Sequence, residues 1–225
     1  GRNETLVLKA RLGYTRLFEL DYKIPFLNKA QTLGMELSSG YFQNNEVTIG
    51  TIENKREFFR LTNGNSREEY QSKLTFVRQK KIYTTHRLET KFTSVSVADS
   101  LALAHSDYLN GGVSQMNYFS LKYTFKHDKR DIRYYPLNGW FFKTTWTKDG
   151  LGIANKNALD LTYIDTEIKK FWHLKKRWYY AAGLFSKISF NKNFPYYIQQ
   201  GLGYQNYVRG NELHIIDGQQ YGLLK

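Results

Sequence analysis

Apolar side chains recur at every second position along much of the chain. Phe18, Leu20, Tyr22, Ile24 and Phe26 alternate with Glu19, Asp21, Lys23 and Pro25. Leu33, Met35, Leu37 and Tyr41 alternate with Thr32, Gly34, Glu36, Ser38 and Gly40. Phe119, Leu121, Tyr123 and Phe125 are interleaved with Ser120, Lys122, Thr124 and Lys126. Trp140, Phe142, Thr144 and Trp146 are interleaved with Phe141, Lys143, Thr145 and Thr147, and Tyr180, Ala182, Leu184, Ile188 and Phe190 share one phase. A period of two places the two sets on opposite faces of a strand. The pattern therefore predicts amphipathic antiparallel strands. Residues 70–79 and 82–97 alternate less cleanly, with Arg78, His86 and several threonines mixed in. In 158–172 the apolar set passes from Leu159, Leu161 and Tyr163 to Ile164 and Ile168. A β-bulge is the simplest cause of such a change of phase. No segment carries a convincing helical period.

The connections fall into two alternating sets. One is short and basic, at 27–30, 78–81 and 173–177, with a somewhat longer member at 127–138. The other is long and polar, at roughly 43–68, 98–116, 149–157 and 191–215. A meander with short turns at one end and long loops at the other has the asymmetry of a transmembrane barrel, whose periplasmic turns are short and outer loops long. Aromatic residues cluster beside the short turns: Tyr134, Tyr135, Trp140, Phe141, Phe142 and Trp146 in one group, Phe171, Trp172, Trp178, Tyr179 and Tyr180 in another. Rings with a polar handle settle at headgroup level, so these clusters read as one interfacial girdle.

Composition agrees with this picture. The 225 residues are 41% hydrophobic and 16% aromatic, with no stretch near the length of an apolar spanning helix. Mean hydropathy is negative, as it is when only alternate residues face lipid. No cysteine is present, which excludes a disulfide framework and a cysteine metal site. The net charge of +13 invites a nucleic-acid reading. The aromatics, however, alternate onto the face opposite Lys and Arg, so there is no shared binding platform. A lumen lined by Lys122, Lys126, Lys143 and Lys187, together with headgroup contact by the basic turns, fits the charge better. The chain starts at Gly1 without a signal peptide, and Tyr221-Gly222-Leu223-Leu224-Lys225 reads as the opening of a strand, so it is expected to be a fragment.

Two motifs go further. Asp128-Lys129-Arg130-Asp131 is followed by Tyr135-Pro136-Leu137-Asn138-Gly139 and an amphipathic strand. Pro136 and Gly139 suit a tight turn, and Asp128, Arg130 and Asp131 can pair within it. Tyr207-Val208-Arg209-Gly210 lies in the long loop 191–215, after Phe194-Pro195-Tyr196-Tyr197 and Gly201-Leu202-Gly203. In this order and spacing the motifs resemble those of the barrel-assembly superfamily of outer-membrane proteins, the BamA, TamA and bacterial surface antigen group. The resemblance covers about 18–225. It departs at Asn211, where the family places an aromatic residue, which bears on the packing of the loop tip.

The resemblance implies an all-β fold, a transmembrane antiparallel β-barrel of about sixteen strands, of which residues 1–225 supply about ten. The first one or two and the last four would be absent, with the periplasmic POTRA modules. It implies that loop 191–215 folds into the lumen, where Val208, Arg209 and Gly210 sit and Arg209 reaches an acidic group on strands beyond this chain. A desolvated guanidinium needs such a partner. The implied function is insertion of client barrel proteins into the outer membrane of a Gram-negative-type bacterium. The implied partners are outer-membrane lipid, client outer-membrane proteins, accessory lipoproteins and the rest of its own barrel. No cofactor, catalytic residue, metal or nucleic acid is implied. A secretion pore of the same superfamily, a barrel anchoring an N-terminal enzyme such as a lipid hydrolase, and a soluble sugar-binding β-protein are the alternatives. The five histidines, His86, His105, His127, His173 and His214, form no metal-ligand spacing, and no nucleophile elbow, phosphate loop or dinucleotide fingerprint occurs.

Overall fold

The computed structural model describes residues 3–152, 159–191, 194–199 and 216–225. In chain order the elements are β1 (Thr5–Arg11), β2 (Thr15–Ile24), β3 (Leu33–Asn44), β4 (Glu46–Ile52), β5 (Lys55–Arg60), β6 (Arg67–Lys80), β7 (Thr84–Val97), α1 (Asp99–Ala104), β8 (Gln115–Asp128), β9 (Gly139–Asp149), β10 (Leu161–Lys175), β11 (Trp178–Ser189) and β12 (Tyr221–Leu224). Ten of the strands form one sheet in the order β1-β2-β3-β6-β7-β8-β9-β10-β11-β12, and β4 and β5 form a separate hairpin. Neighbours in the large sheet pair antiparallel, so it is an uninterrupted meander. Among the described residues it does not close on itself: β1 pairs with β2 alone and β12 with β11 alone.

Directly paired residues share a face of the sheet. Ile24, Met35, Phe76, Leu88, Tyr123, Trp146, Ile164 and Ile188 run side by side across one face. Most of them stand open to the surroundings, Trp146 at 58% and Ile188 at 52%. The row one residue over, on the other face, reads Lys23, Glu36, Thr75, Glu89, Lys122, Thr147, Tyr163 and Ser189. The alternation read from the sequence is thus an apolar outer face and a charged inner wall. A continuous apolar surface of this size needs an apolar surrounding. Strands β6, β7 and β8 have 14 residues each, enough to cross the hydrocarbon of a bilayer with both ends outside it.

Three local expectations are corrected. There is no bulge between Leu161 and His173, because both pairings of β10 run in continuous register there, and the one shift in β10–β11 falls between His173 and Lys175. The apolar set changes phase because Leu161 and Tyr163 are on the inner wall, beneath an apolar layer of loops, while Ile164 and Ile168 face outward. The region 43–68 is not all loop: it holds β4, β5 and the first residues of β6. The region 98–116 contains α1, whose six residues are too few to show a helical period; Leu101 and Ala102 are its buried side.

The core sits at the long-loop end. Val95, Val97, Met116, Tyr118 and Leu161 of the inner wall pack with Val47 and Ile49 of the hairpin, with Leu101, Ala102, Tyr108 and Leu109, and with Phe194. The loops therefore fold over the inner wall, and the short-turn end carries no comparable cluster among the described buried residues.

Candidate functional site

The connection between β8 and β9 is organised by the acidic and basic residues singled out from the sequence. Asp128, the last residue of β8, accepts a fork of two hydrogen bonds from Arg130, at 2.8 Å from Nε and 2.9 Å from the terminal guanidinium nitrogen. A second terminal nitrogen of Arg130 donates to the carbonyl of Arg133 at 3.2 Å. The guanidinium also lies 4.7 Å from the ring centre of Phe141, which is the register partner of Asp128. The pair is nearly out of solvent, with side chains 14% and 5% exposed, so its attraction is little screened.

Asp131 ties the far side of the turn. Its Oδ1 accepts the backbone N–H of Ile132 at 2.8 Å and of Leu137 at 3.1 Å, while its own N–H donates to the carbonyl of Asn138 at 3.1 Å. Desolvation pushes the Asp131 carboxyl up, but the backbone donors at Ile132, Asn138 and Leu137 outweigh it and hold it below the usual carboxylate range. Gly139 follows at φ +110°, and a Cβ there would collide with the Lys129 carbonyl oxygen and come within 2.9 Å of the Arg130 Cα. Only glycine fits. Pro136 precedes it, half-buried. The structure thus brings Asp128, Arg130, Asp131 and Gly139 into one clasp at the short-turn end.

From the clasp, the inner wall runs as a mixed-charge surface. Arg87, Glu89, Lys122, Lys143, Asp165 and Lys187 line a cavity of about 740 Å³. Several wall cations find wall acids: Lys9 pairs with Glu19 and Asp21, Lys23 and Arg87 with Glu36, and Lys169 with Glu167. Others rest on rings, as Lys187 does at 4.6 Å from Tyr163. A wall of this polarity is unsuited to acyl chains.

The cap at the other end is pinned by a residue that the sequence reading missed. Arg67, at the start of β6, donates to Asn44 Oδ1 at 3.0 Å and to the Tyr108 hydroxyl at 3.4 Å, and stacks 5.4 Å over Tyr197. Glu69 is 3.8 Å from its Nε. One arginine thus joins the end of β3, the α1 loop and the entry of the loop 191–215. No sequence signal marks it, because it stands in a stretch that reads as solvated loop. The loop's first residues dock beside it by backbone bonds, Tyr196 N–H to the carbonyl of Asp107 at 3.1 Å and Tyr197 N–H to that of Tyr108 at 3.0 Å. Beyond the loop, Asp217 accepts from the Thr51 hydroxyl at 2.6 Å. Val208, Arg209 and Gly210 lie outside the described residues.

The chain is an antiparallel meander with an apolar outside, a charged inside, a clasped short turn and a capped long-loop end. The Omp85 superfamily domain matches residues 1–221. The chain belongs to the Omp85 superfamily. It is an outer-membrane β-barrel protein of Gram-negative bacteria. The crystal structure of BamA from Haemophilus ducreyi lacking POTRA domains 1–3 superimposes with a TM-score of 0.65 at 16% identity. The match covers 93% of this chain and 40% of that one, so this Omp85 chain spans less than half the length of its structural neighbour. No curated protein matches it.

Proposed function

We propose that the complete protein inserts client β-barrel proteins into the outer membrane, and that this chain supplies the central strands of its barrel. The observation that carries the reading is the apolar cap: Val47, Ile49, Leu101, Leu109 and Phe194 pack onto the inner wall and cover its loop end. A covered lumen suits a barrel that acts through its wall and seam better than one that passes polypeptide outward. Insertion by strand templating needs an unpaired strand edge to offer to the client, and no catalytic group or cofactor. In this reading the loop 191–215 enters the lumen, and Arg209 ties its tip to an acid on the wall.

The test is reconstitution. Vesicles holding the complete protein should speed the folding of a urea-denatured client barrel, followed by heat-modifiable mobility. Folding no faster than in empty vesicles would refute the reading, and transport of a soluble passenger across the bilayer instead would identify a secretion pore. Arg209→Ala should weaken insertion while leaving strand content intact; an unchanged rate and unchanged mobility would remove the lumenal role of the loop.

A further inference from the structure

The outer face differs at its two ends in how its charges are balanced. At the loop end, the outward charges of β6 and β9 have partners within the chain: Lys148 pairs with Asp160, and Glu68 accepts from the Tyr41 hydroxyl at 2.8 Å and from Asn65 at 2.8 Å. From the row of Ile24 and Trp146 down to the short turns, the outward positions of β3 and β6–β11 hold no carboxylate at all. They do hold Arg78, Lys80 and Lys170, which correct the expectation that Lys and Arg keep to the face opposite the aromatics: near the short turns the two share the outer face. Arg78 and Lys80 have no ion pair among the described residues, and neither does Lys81 in the adjoining turn.

A cation on the lipid side of a barrel is costly in hydrocarbon and tolerable at headgroup level, where an external anion can meet it. The surroundings of Arg78 fit that level. Its register partner on β7 is His86. The His86 ring is held by its Nδ1 against the Tyr123 hydroxyl at 2.8 Å and set edge-on to Phe125 at 5.3 Å. Next to it, the imidazole of His127 stacks at 4.7 Å on Trp140, bonds Thr84 through Nδ1 at 2.8 Å, and keeps a buried Nε2 with no hydrogen-bond partner among the described residues. Lys129 reaches across to Tyr83 at 5.8 Å from the ring centre. These basic groups stand beside Phe76 and Tyr123, exposed on the same face. A ligand for them must present an anion and apolar chains together, which a free phosphate ion or an acidic protein loop does not.

We propose that the outward face around the β6–β7 turn binds the phosphate of an anionic glycerophospholipid, with Arg78 and His86 at the centre and Lys80, Lys81 and Lys129 at the rim. The acyl chains lie along Phe76 and Tyr123. The site fixes the barrel's height in the leaflet that meets the short turns.

The complete protein, in nanodiscs of phosphatidylcholine and phosphatidylglycerol in equal parts, is released into native mass spectrometry and its retained lipids counted. The parent should keep phosphatidylglycerol over phosphatidylcholine. Arg78→Gln should weaken that preference about fivefold, and adding Lys80→Gln and Lys81→Gln should weaken it further. Arg78→Lys should keep most of it. Lys55→Gln, which removes one charge at the loop end, should leave it unchanged. The proposal is overturned if the parent shows no preference, if Arg78→Gln keeps it in full, or if Lys55→Gln lowers it as much. The parent measurement stands even where a variant fails to fold.

Discussion

Removing Arg130 tests whether the β8–β9 clasp is a source of barrel stability. Arg130→Ala deletes two charge-assisted bonds to Asp128, one bond to the Arg133 carbonyl and the contact with Phe141. It leaves the Asp128 carboxylate, 5% exposed, with the backbone N–H of residue 130 at 3.4 Å and the Arg133 Nε at 3.9 Å. The Arg133 side chain is 71% exposed and compensates little. Hydrogen bonds to charged groups contribute about 1.5–3 kcal/mol, and a cation over a ring about 0.5–1 kcal/mol. The expected loss is therefore about 2–4 kcal/mol. The assay is urea unfolding of the complete protein in lipid vesicles, read by tryptophan fluorescence and by heat-modifiable mobility. A double-mutant cycle with Asp128→Ala isolates the pair, and a coupling of more than about 1 kcal/mol is expected. Arg130→Lys should recover less than half, because an ammonium cannot form the fork. A loss under about 0.5 kcal/mol, with the two single substitutions additive, would refute the reasoning.

Three further outcomes follow from the same geometry. Gly139→Ala places a Cβ on the Lys129 carbonyl at a φ that L residues avoid, and should cost about 1–3 kcal/mol in the same unfolding assay. Asp131 has a folded pKa held below its unfolded value, so its stabilising effect is complete above the ordinary carboxylate range and is lost as pH falls through the folded value. Parent and Asp131→Asn should accordingly differ most in unfolding midpoint near neutral pH and converge in acid; a difference independent of pH would contradict this. Leu101→Ala opens a cavity in the fully buried centre of the cap and should cost about 2–5 kcal/mol locally, seen as faster protease cleavage within 98–116 while the mobility of the strands is kept.

Much of this molecule is legible in its sequence, because a strand writes its two environments into alternate residues. The pairing of Phe119, Leu121, Tyr123 and Phe125 with Ser120, Lys122, Thr124 and Lys126 already separates lipid from lumen, and the register of β8 with its neighbours adds only which residues stand side by side. The turn motif was readable for a similar reason: Asp128, Arg130, Asp131 and Gly139 act over a few residues, so their contacts are local. What failed to show locally was decided by tertiary structure. Leu161 and Tyr163 look like a slipped strand until the loop cap above them is seen, since an apolar residue reports an apolar neighbour without saying whether that neighbour is lipid or protein. Arg67 looks like a solvated loop residue until Asn44, Tyr108 and Tyr197, distant in sequence, converge on it. Arg78 and Lys80 interrupt a pattern when read along the chain. In the folded sheet they are outward cations with no acid beside them among the described residues. Alternation determines which face a side chain takes; only the assembled sheet and its loops decide what that face meets.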